Sequence, residues 1–296
     1  MDRPDSILLV GAAHLDRHGR CDDVPVPGAS NPGRFAEMPG GAAFNVASSL
    51  AAWGADARLC SILGDDAGGR ALRAAAMARG VTLEAQVSRE HPTATYTAIV
   101  GPDGTLALAL ADMAIYDALD PATVAGVEDA PRLLVEANLS ARAVAALLDR
   151  ARGTVAAMTV SAAKAGRLRP VLARIDTLFT NRAELAALCE QPVDAPMPDL
   201  LHAFAALGGR GAVVSDGAGD VWTVAQGETR RHPVPPVPDI VDATGAGDAL
   251  TAGTLMGLMT GRPLHEAIDG GIRAARAVLA VHGPWRADIE GDRPWT

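Results

Sequence analysis

Apolar residues recur along this chain in two rhythms. Short continuous runs at 7–10, 58–63, 133–136, 155–160, 177–180 and 212–215 are bounded by glycine, proline or charge and read as buried strands. Longer stretches at 42–53, 71–79, 140–150, 182–188, 247–259 and 264–281 repeat their apolar positions at helical spacing. Gly54 and Gly80 follow two of these stretches and suit the left-handed turn that ends a helix; Ser140 opens another as an N-cap. Strands alternating with helices predict an α/β fold, a mostly parallel sheet with helices on both faces.

Two segments break the rhythm. Residues 17–39 are rich in glycine and proline and lack a helical period. Residues 93–110 hold two β-rich runs, TATYTAIV and TLALAL, around the turn signal Pro102, Asp103 and Gly104. These segments are expected either as a small antiparallel sheet standing off the main layer as a lid, or as surface loops with an edge hairpin. Such a lid would draw on segments near 14–38 and 91–115 of a single domain spanning 1–296.

Composition narrows the function. Hydrophobic residues make up 49% of the 296 residues, enough for a large core. A net charge of −9 and 3% aromatic content argue against a nucleic-acid partner, which needs a basic face and stacking platforms. The apolar runs are too short and too interrupted for a membrane span, and the first residues lack a secretory signal pattern, so a cytoplasmic location is expected. Cys21, Cys60 and Cys189 are far apart and read as buried small hydrophobes.

The strongest chemical signal is DATGAGD, from Asp242 to Asp248, followed by an apolar helix. Small residues at Gly245, Ala246 and Gly247 let N–H groups converge at a helix start, where an anion such as phosphate is favoured. Asp248 would stand beside that anion, either as a general base for an attacking hydroxyl or as a plain helix cap. The only lysine is Lys164, in the wrong setting for a Gly-x-x-x-x-Gly-Lys phosphate loop. Leu250 stands where the third glycine of a dinucleotide fingerprint would be. Upstream, Gly40, Gly41 and Asn45 open another helix. Adjacent glycines allow close backbone approach, and Asn45 offers a donor and an acceptor to hydroxyls. A tight strand-to-helix turn is the alternative.

Taken together, two long segments resemble a known family. GGAAFNVASSLAAWGADARLCSILGDDAGG and DATGAGDALTAG resemble the two signatures of the ribokinase-like, or PfkB, carbohydrate kinases. The likeness runs from residue 7 to about 283. It implies a three-layer ribokinase-like fold with a small β-sheet lid, and transfer of the γ-phosphate of ATP to an alcohol. It implies Asp248 as the base, and Gly245, Ala246 and Gly247 as the anion hole. Asp16, Gly40, Gly41 and Asn45 would bind substrate hydroxyls. Asn181 and Glu184 match the family's Asn-x-x-Glu, which orders Mg²⁺ and the ATP phosphates; the same pair also reads as a capping box. Ser215 and Gly217 would meet the nucleotide. Asp242 and Thr244 would bind a monovalent cation, K⁺. His14 beside Asp16 reads as a turn residue.

Within the family, GAAHLDR, ADMAIYDAL, VEANLS and VSAAKAGRL resemble segments of bacterial pseudouridine kinases. That likeness implies phosphorylation of the pseudouridine 5′-hydroxyl, with Asn138 and Lys164 near the pocket. Ala42 replaces the lysine that ribokinases carry after the glycine pair, which speaks against free ribose. Another nucleoside or a free sugar is the alternative acceptor. A non-catalytic nucleoside sensor and a dinucleotide oxidoreductase are the readings from other classes. A homodimer through the edge strands of the lid is also expected.

Overall fold

A computed structural model describes residues 6–238, 240 and 243–280. The chain enters as β1 (Ser6–Val10), then leaves the main layer as β2 (His14–Cys21) and β3 (Gly33–Gly40). It returns through α1 (Ala42–Ala52), β4 (Asp56–Gly64), α2 (Ala67–Ala78) and β5 (Thr82–Ser88). A second excursion forms β6 (Thr95–Val100) and β7 (Leu106–Asp112). The alternation resumes with β8 (Arg132–Glu136), α3 (Ala141–Arg150), β9 (Thr154–Met158), α4 (Ala162–Ala165), β10 (Thr177–Asn181), α5 (Arg182–Cys189) and α6 (Met197–Ala206). It ends with β11 (Ala212–Ser215), β12 (Val221–Ala225), β13 (Glu228–His232), α7 (Ala246–Met259) and α8 (Leu264–Leu279).

The main sheet runs β13-β12-β11-β10-β9-β8-β1-β4-β5. Every pair from β5 to β11 is parallel, and the last two strands are antiparallel. Side chains alternate across such a strand, so β1 supplies both faces. Ile7 and Leu9 join the core under α1, α2, α7 and α8, while Leu8 and Val10 join the core under α3, α5 and α6. Burial on both faces is why these strands read as continuous apolar runs.

Several sequence expectations are corrected. The strand expected at 155–160 stops at Met158, and Val160 takes a left-handed φ of 57°. A branched residue prefers to avoid that region, so local preference does not announce it. The helix expected at 71–79 begins at Ala67, with Asp66 as its N-cap, because two glycines dilute the first turn. The stretch expected at 264–281 is helical to Leu279, and Val281 lies outside the described residues. The strands β5, β12 and β13 and the helices α4 and α6 are additions. β5 is an edge strand carrying Glu84 and Gln86, and β13 reads ETRRH, so neither shows an apolar run.

The two excursions form a second sheet in the order β3-β2-β6-β7. It is mixed rather than antiparallel throughout. β2 pairs antiparallel with β3, and β6 with β7, but β2 and β6 are parallel. Both follow strands that end at the same carboxyl edge of the main sheet, so both leave it in the same direction.

Candidate functional site

The carboxyl edge of a parallel sheet is where loops and helix starts collect. Here β1 gives way to β2, whose alternate residues His14 and Asp16 share one face. The two are joined, His14 Nε2 to Asp16 Oδ1, at 3.1 Å. The β3–α1 junction packs directly on them. A Cβ at Gly40 would lie 2.0 Å from Asp16 Oδ2, and one at Gly41, with φ 108°, would lie 2.5 Å from the Ala12 carbonyl oxygen. The glycine pair is thus required by close approach. It also brings the first turn of α1, with Asn45, to the same edge.

The start of α7 meets α1 there. Gly245 is the N-cap in the left-handed region at φ 80°, and no side chain caps the helix. First-turn N–H groups have no intrahelical acceptor. Ala246 N–H is partly committed to the Ala243 carbonyl at 3.3 Å, which leaves the next N–H groups of that turn as the open donors. Asp248 follows immediately, and Asn45 Nδ2 donates to its Oδ2 at 2.8 Å. Asn45 Oδ1 and His14 Nδ1 are buried without partners. Two polar atoms left open beside one carboxylate are acceptor or donor positions for a bound hydroxyl.

These residues line one groove of about 290 Å³. Its walls bring together Asp16, Gly41, Asn45, Asn181, Glu184, Ser215, Thr244, Gly247 and Asp248. Gly40 stands behind Asp16. A second groove of about 720 Å³ adjoins the first, sharing Asn181, Ser215, Gly247 and Leu250 and adding Ala246 and Gly217. The two grooves meet at the start of α7. Asp242 lies outside the described residues.

Burial is the main reason that the Asp248 carboxyl is pushed up to about 7. The charges of Glu136 and Asp16 add to the rise, while the Asn45 hydrogen bond and His14 oppose it. A carboxyl near 7 is matched to proton transfer at neutral pH.

Asn181 and Glu184 realise the capping box at the start of α5. Glu184 N–H donates to Asn181 Oδ1 at 2.9 Å, and Asn181 N–H to Glu184 Oε2 at 3.3 Å. Thr159, fully buried at the end of β9, also hydrogen-bonds Glu184 Oε2 and holds Thr180 Oγ1 at 2.9 Å. Capping and facing the groove are compatible, because a carboxylate keeps further lone pairs. No cluster of three or more His, Cys, Asp or Glu suited to a metal occurs among the described residues. One carboxylate and one amide at the groove's edge suit a Mg²⁺ that keeps its waters and phosphate ligands.

Three contributors have no site role in the sequence reading. His14 is a strand residue lining the groove, not a turn residue. Its i, i+2 spacing from Asp16 was the available signal. Thr159 carries no local signal at all. Glu136, with zero exposure, accepts from Ala12 N at 2.7 Å, Ala43 N at 3.1 Å and Asn138 Nδ2 at 2.8 Å. Lys164 Nζ then donates to Asn138 Oδ1 at 2.6 Å. Asn138 and Lys164 do not line the groove; they extend the Glu136 chain behind it. Tyr116, from ADMAIYDAL, donates its buried hydroxyl to Ala13 O at 2.8 Å and anchors the β1–β2 loop.

Known proteins share this architecture. The chain is 28% identical over 285 residues to the pseudouridine kinase of Escherichia coli K12, covering 90% of this chain and 88% of that one. A carbohydrate kinase from Agrobacterium tumefaciens superposes with a TM-score of 0.81 at 35% identity, covering 92% of this chain and 89% of the other. The Arabidopsis thaliana ribokinase complexed with ribose and ATP gives 0.81 at 21% identity over 94% of each chain, a likeness of fold. Residues 4–288 match the description pfkB family carbohydrate kinase. The chain belongs to the PfkB family of carbohydrate kinases, phosphotransferases with an alcohol acceptor.

Proposed function

We propose that the chain transfers the γ-phosphate of ATP to the 5′-hydroxyl of pseudouridine, another nucleoside or a free sugar being the alternative acceptor. The observation that carries the reading is the Asn45–Asp248 pair in the first groove, one residue from Gly247, which both grooves share. The acceptor takes the first groove and the nucleotide the second. Asp16, Gly41 and Asn45 bind acceptor hydroxyls, with Asn45 Oδ1 open to receive one. Ser215 and Gly217 border the nucleotide. Support for the nucleoside comes from the E. coli relative and from Ala42 in place of a lysine.

In this mechanism Asp248 accepts the hydroxyl proton as the oxygen attacks. The open N–H groups at the start of α7, around Gly245 to Gly247, hold the charge on the phosphoryl oxygens. Mg²⁺, when bound, neutralises phosphate charge, and Asn181 and Glu184 are the residues that would hold its waters. Thr244, together with Asp242, is the proposed monovalent-cation position. The small sheet serves as the lid of a single domain and excludes water that would compete as acceptor. No described helix is long and apolar enough to cross a membrane. An ATP-fed reaction suits the cytoplasm.

The test is ADP release with Mg²⁺ and ATP over a panel of pseudouridine, uridine, adenosine, ribose and fructose. Fastest turnover on pseudouridine is expected. Binding without turnover on any member would replace the kinase reading with a sensor.

Two further outcomes are expected. A base near 7 must be ionised to work, so kcat/KM should rise with pH to a midpoint near 7 and flatten above it. A flat profile from about pH 5.5 to 8 would remove Asp248 from the role. The lid is also proposed to pair with a second copy. Leu108 and Leu110 share one face of edge strand β7 and are 64% and 67% exposed. Leu108→Asp should convert a dimer to a monomer in sedimentation; a wild-type monomer would refute the pairing.

A further inference from the structure

Among the described residues, the second groove is lined by three charged side chains, of which Arg182 and Asp216 pair with each other and Arg276 does not pair with either. The groove's apolar wall includes Val221, Val234 and Leu250. From α8 it receives Ile272, Ala275, Arg276 and Leu279, the i, i+3, i+4, i+7 stripe of one helix face. Such a stripe is normally apolar throughout. Arg276 interrupts it, and its Nε is shielded from solvent with no hydrogen-bond partner. A buried unpaired donor destabilises the free protein. The other cation among the groove's described residues, Arg182, is already committed. Its Nε and Nη2 each donate to Asp216 at 2.7 Å, and its Nη1 to the Ala195 carbonyl at 2.8 Å.

Helix packing sets the height of Arg276. Backbone of α7 and α8 touches at Gly253 and Gly270, where an added Cβ would lie 2.6 Å from the Gly270 carbonyl oxygen, and Leu250 meets Gly271. The short link from Met259 to Leu264 turns the chain back, so the helices run antiparallel. Following each toward the groove brings Arg276 level with Ala246 and Gly247 at the start of α7, both of which line the same groove.

Resting on the nucleotide reading of this groove, we infer that Arg276 binds the base of the phosphate donor, donating its Nε–H to a purine acceptor atom. An arginine has donors only, and purine rings offer acceptors at their edges. The flanking Ile272 and Leu279 suit the flat apolar faces of a base better than a phosphate chain. Arg276 is thus a binding residue, distinct from the residues that act on the transferred phosphate.

Arg276→Met keeps the aliphatic stem and removes the donors. By titration calorimetry, ADP and adenosine should both bind about tenfold or more weakly to the variant, the scale of one charge-assisted hydrogen bond. Inorganic tripolyphosphate, as a competitive inhibitor against ATP, should be unchanged. The KM for ATP should rise with kcat and the acceptor KM unchanged. The melting temperature without nucleotide should hold or rise, since a buried orphan donor is gone. Equal weakening of tripolyphosphate would overturn the base assignment in favour of phosphate. Unchanged ADP and adenosine binding in the folded variant would overturn the inference altogether. Failure of wild-type protein to bind ADP would instead reject the nucleotide reading of the groove.

Discussion

Replacing Asp248 by Asn should cut kcat by about 10²–10⁴-fold, the usual contribution of a positioned general base. The substitution keeps the shape of the side chain and can keep a hydrogen bond to Asn45, which holds Asp248 at 2.8 Å in the wild type. It removes the group that takes the proton. ADP binding should be preserved, because the α7 N–H groups are untouched. Stability should move the other way. Burial, with Glu136 and Asp16, lifts the carboxyl from 3.8 to about 7 in the folded state. Between those values the folded chain holds a proton that the unfolded chain has lost. Wild-type stability therefore falls as pH rises through that window. The Asn variant has no such charge. At pH 8 it should melt above the wild type, and the gap should close as the pH drops toward 4. Near-normal turnover in a folded variant would remove Asp248 from the chemistry, and an equal melting temperature at pH 8 would contradict its raised proton affinity.

The second large effect is expected at Glu136. Its carboxylate is completely buried and receives three donors, Ala12 N, Ala43 N and Asn138 Nδ2. Burial pushes its proton affinity up, and all three donors and His14 oppose that rise. The group ties the end of β1 to the start of α1, the helix that carries Asn45. Glu136→Leu strands three buried donors at once and should cost roughly 3 kcal/mol or more, at about 1–3 kcal/mol for each buried group left unpaired. The denaturant midpoint should fall accordingly, and a loss below about 1 kcal/mol would show that the three donors find other partners. Glu136→Gln keeps the volume, sets an amide NH₂ against one N–H, and should cost less. It also deletes a negative charge that raises the Asp248 carboxyl. The rising limb of kcat/KM should then shift to lower pH. An unmoved limb in the Gln variant would confine Glu136 to a purely structural part.

Family and fold were legible in the sequence for a physical reason. The central strands are buried on both faces and so appear as apolar runs, α1 begins at glycines that close approach demands, and α7 at a glycine in the left-handed region. Gly40, Gly41 and Gly245 are local necessities, and the order of DATGAGD after GGAAFN survives in the linear chain. Asp248 and Asn45 could be named from those motifs one by one.

Their meeting could not. Asn45 and Asp248 are 203 positions apart and touch only because α1 packs on α7 at one sheet edge. The proton affinity of Asp248 depends on burial and on Glu136 and Asp16, none of them its sequence neighbours. The parallel pairing of β2 with β6 follows from where the chain leaves the main sheet, which no strand pattern records. Polar edge strands such as β13 stayed hidden because their solvated side chains show no apolar run. Sequence by itself determined the family, the order of the central strands and helices, and which motif residues, Asn45 and Asp248 among them, are candidates for the chemistry. Tertiary structure alone decided which of those side chains share a groove and how tightly Asp248 holds its proton, since both depend on burial and contacts between residues distant in the chain.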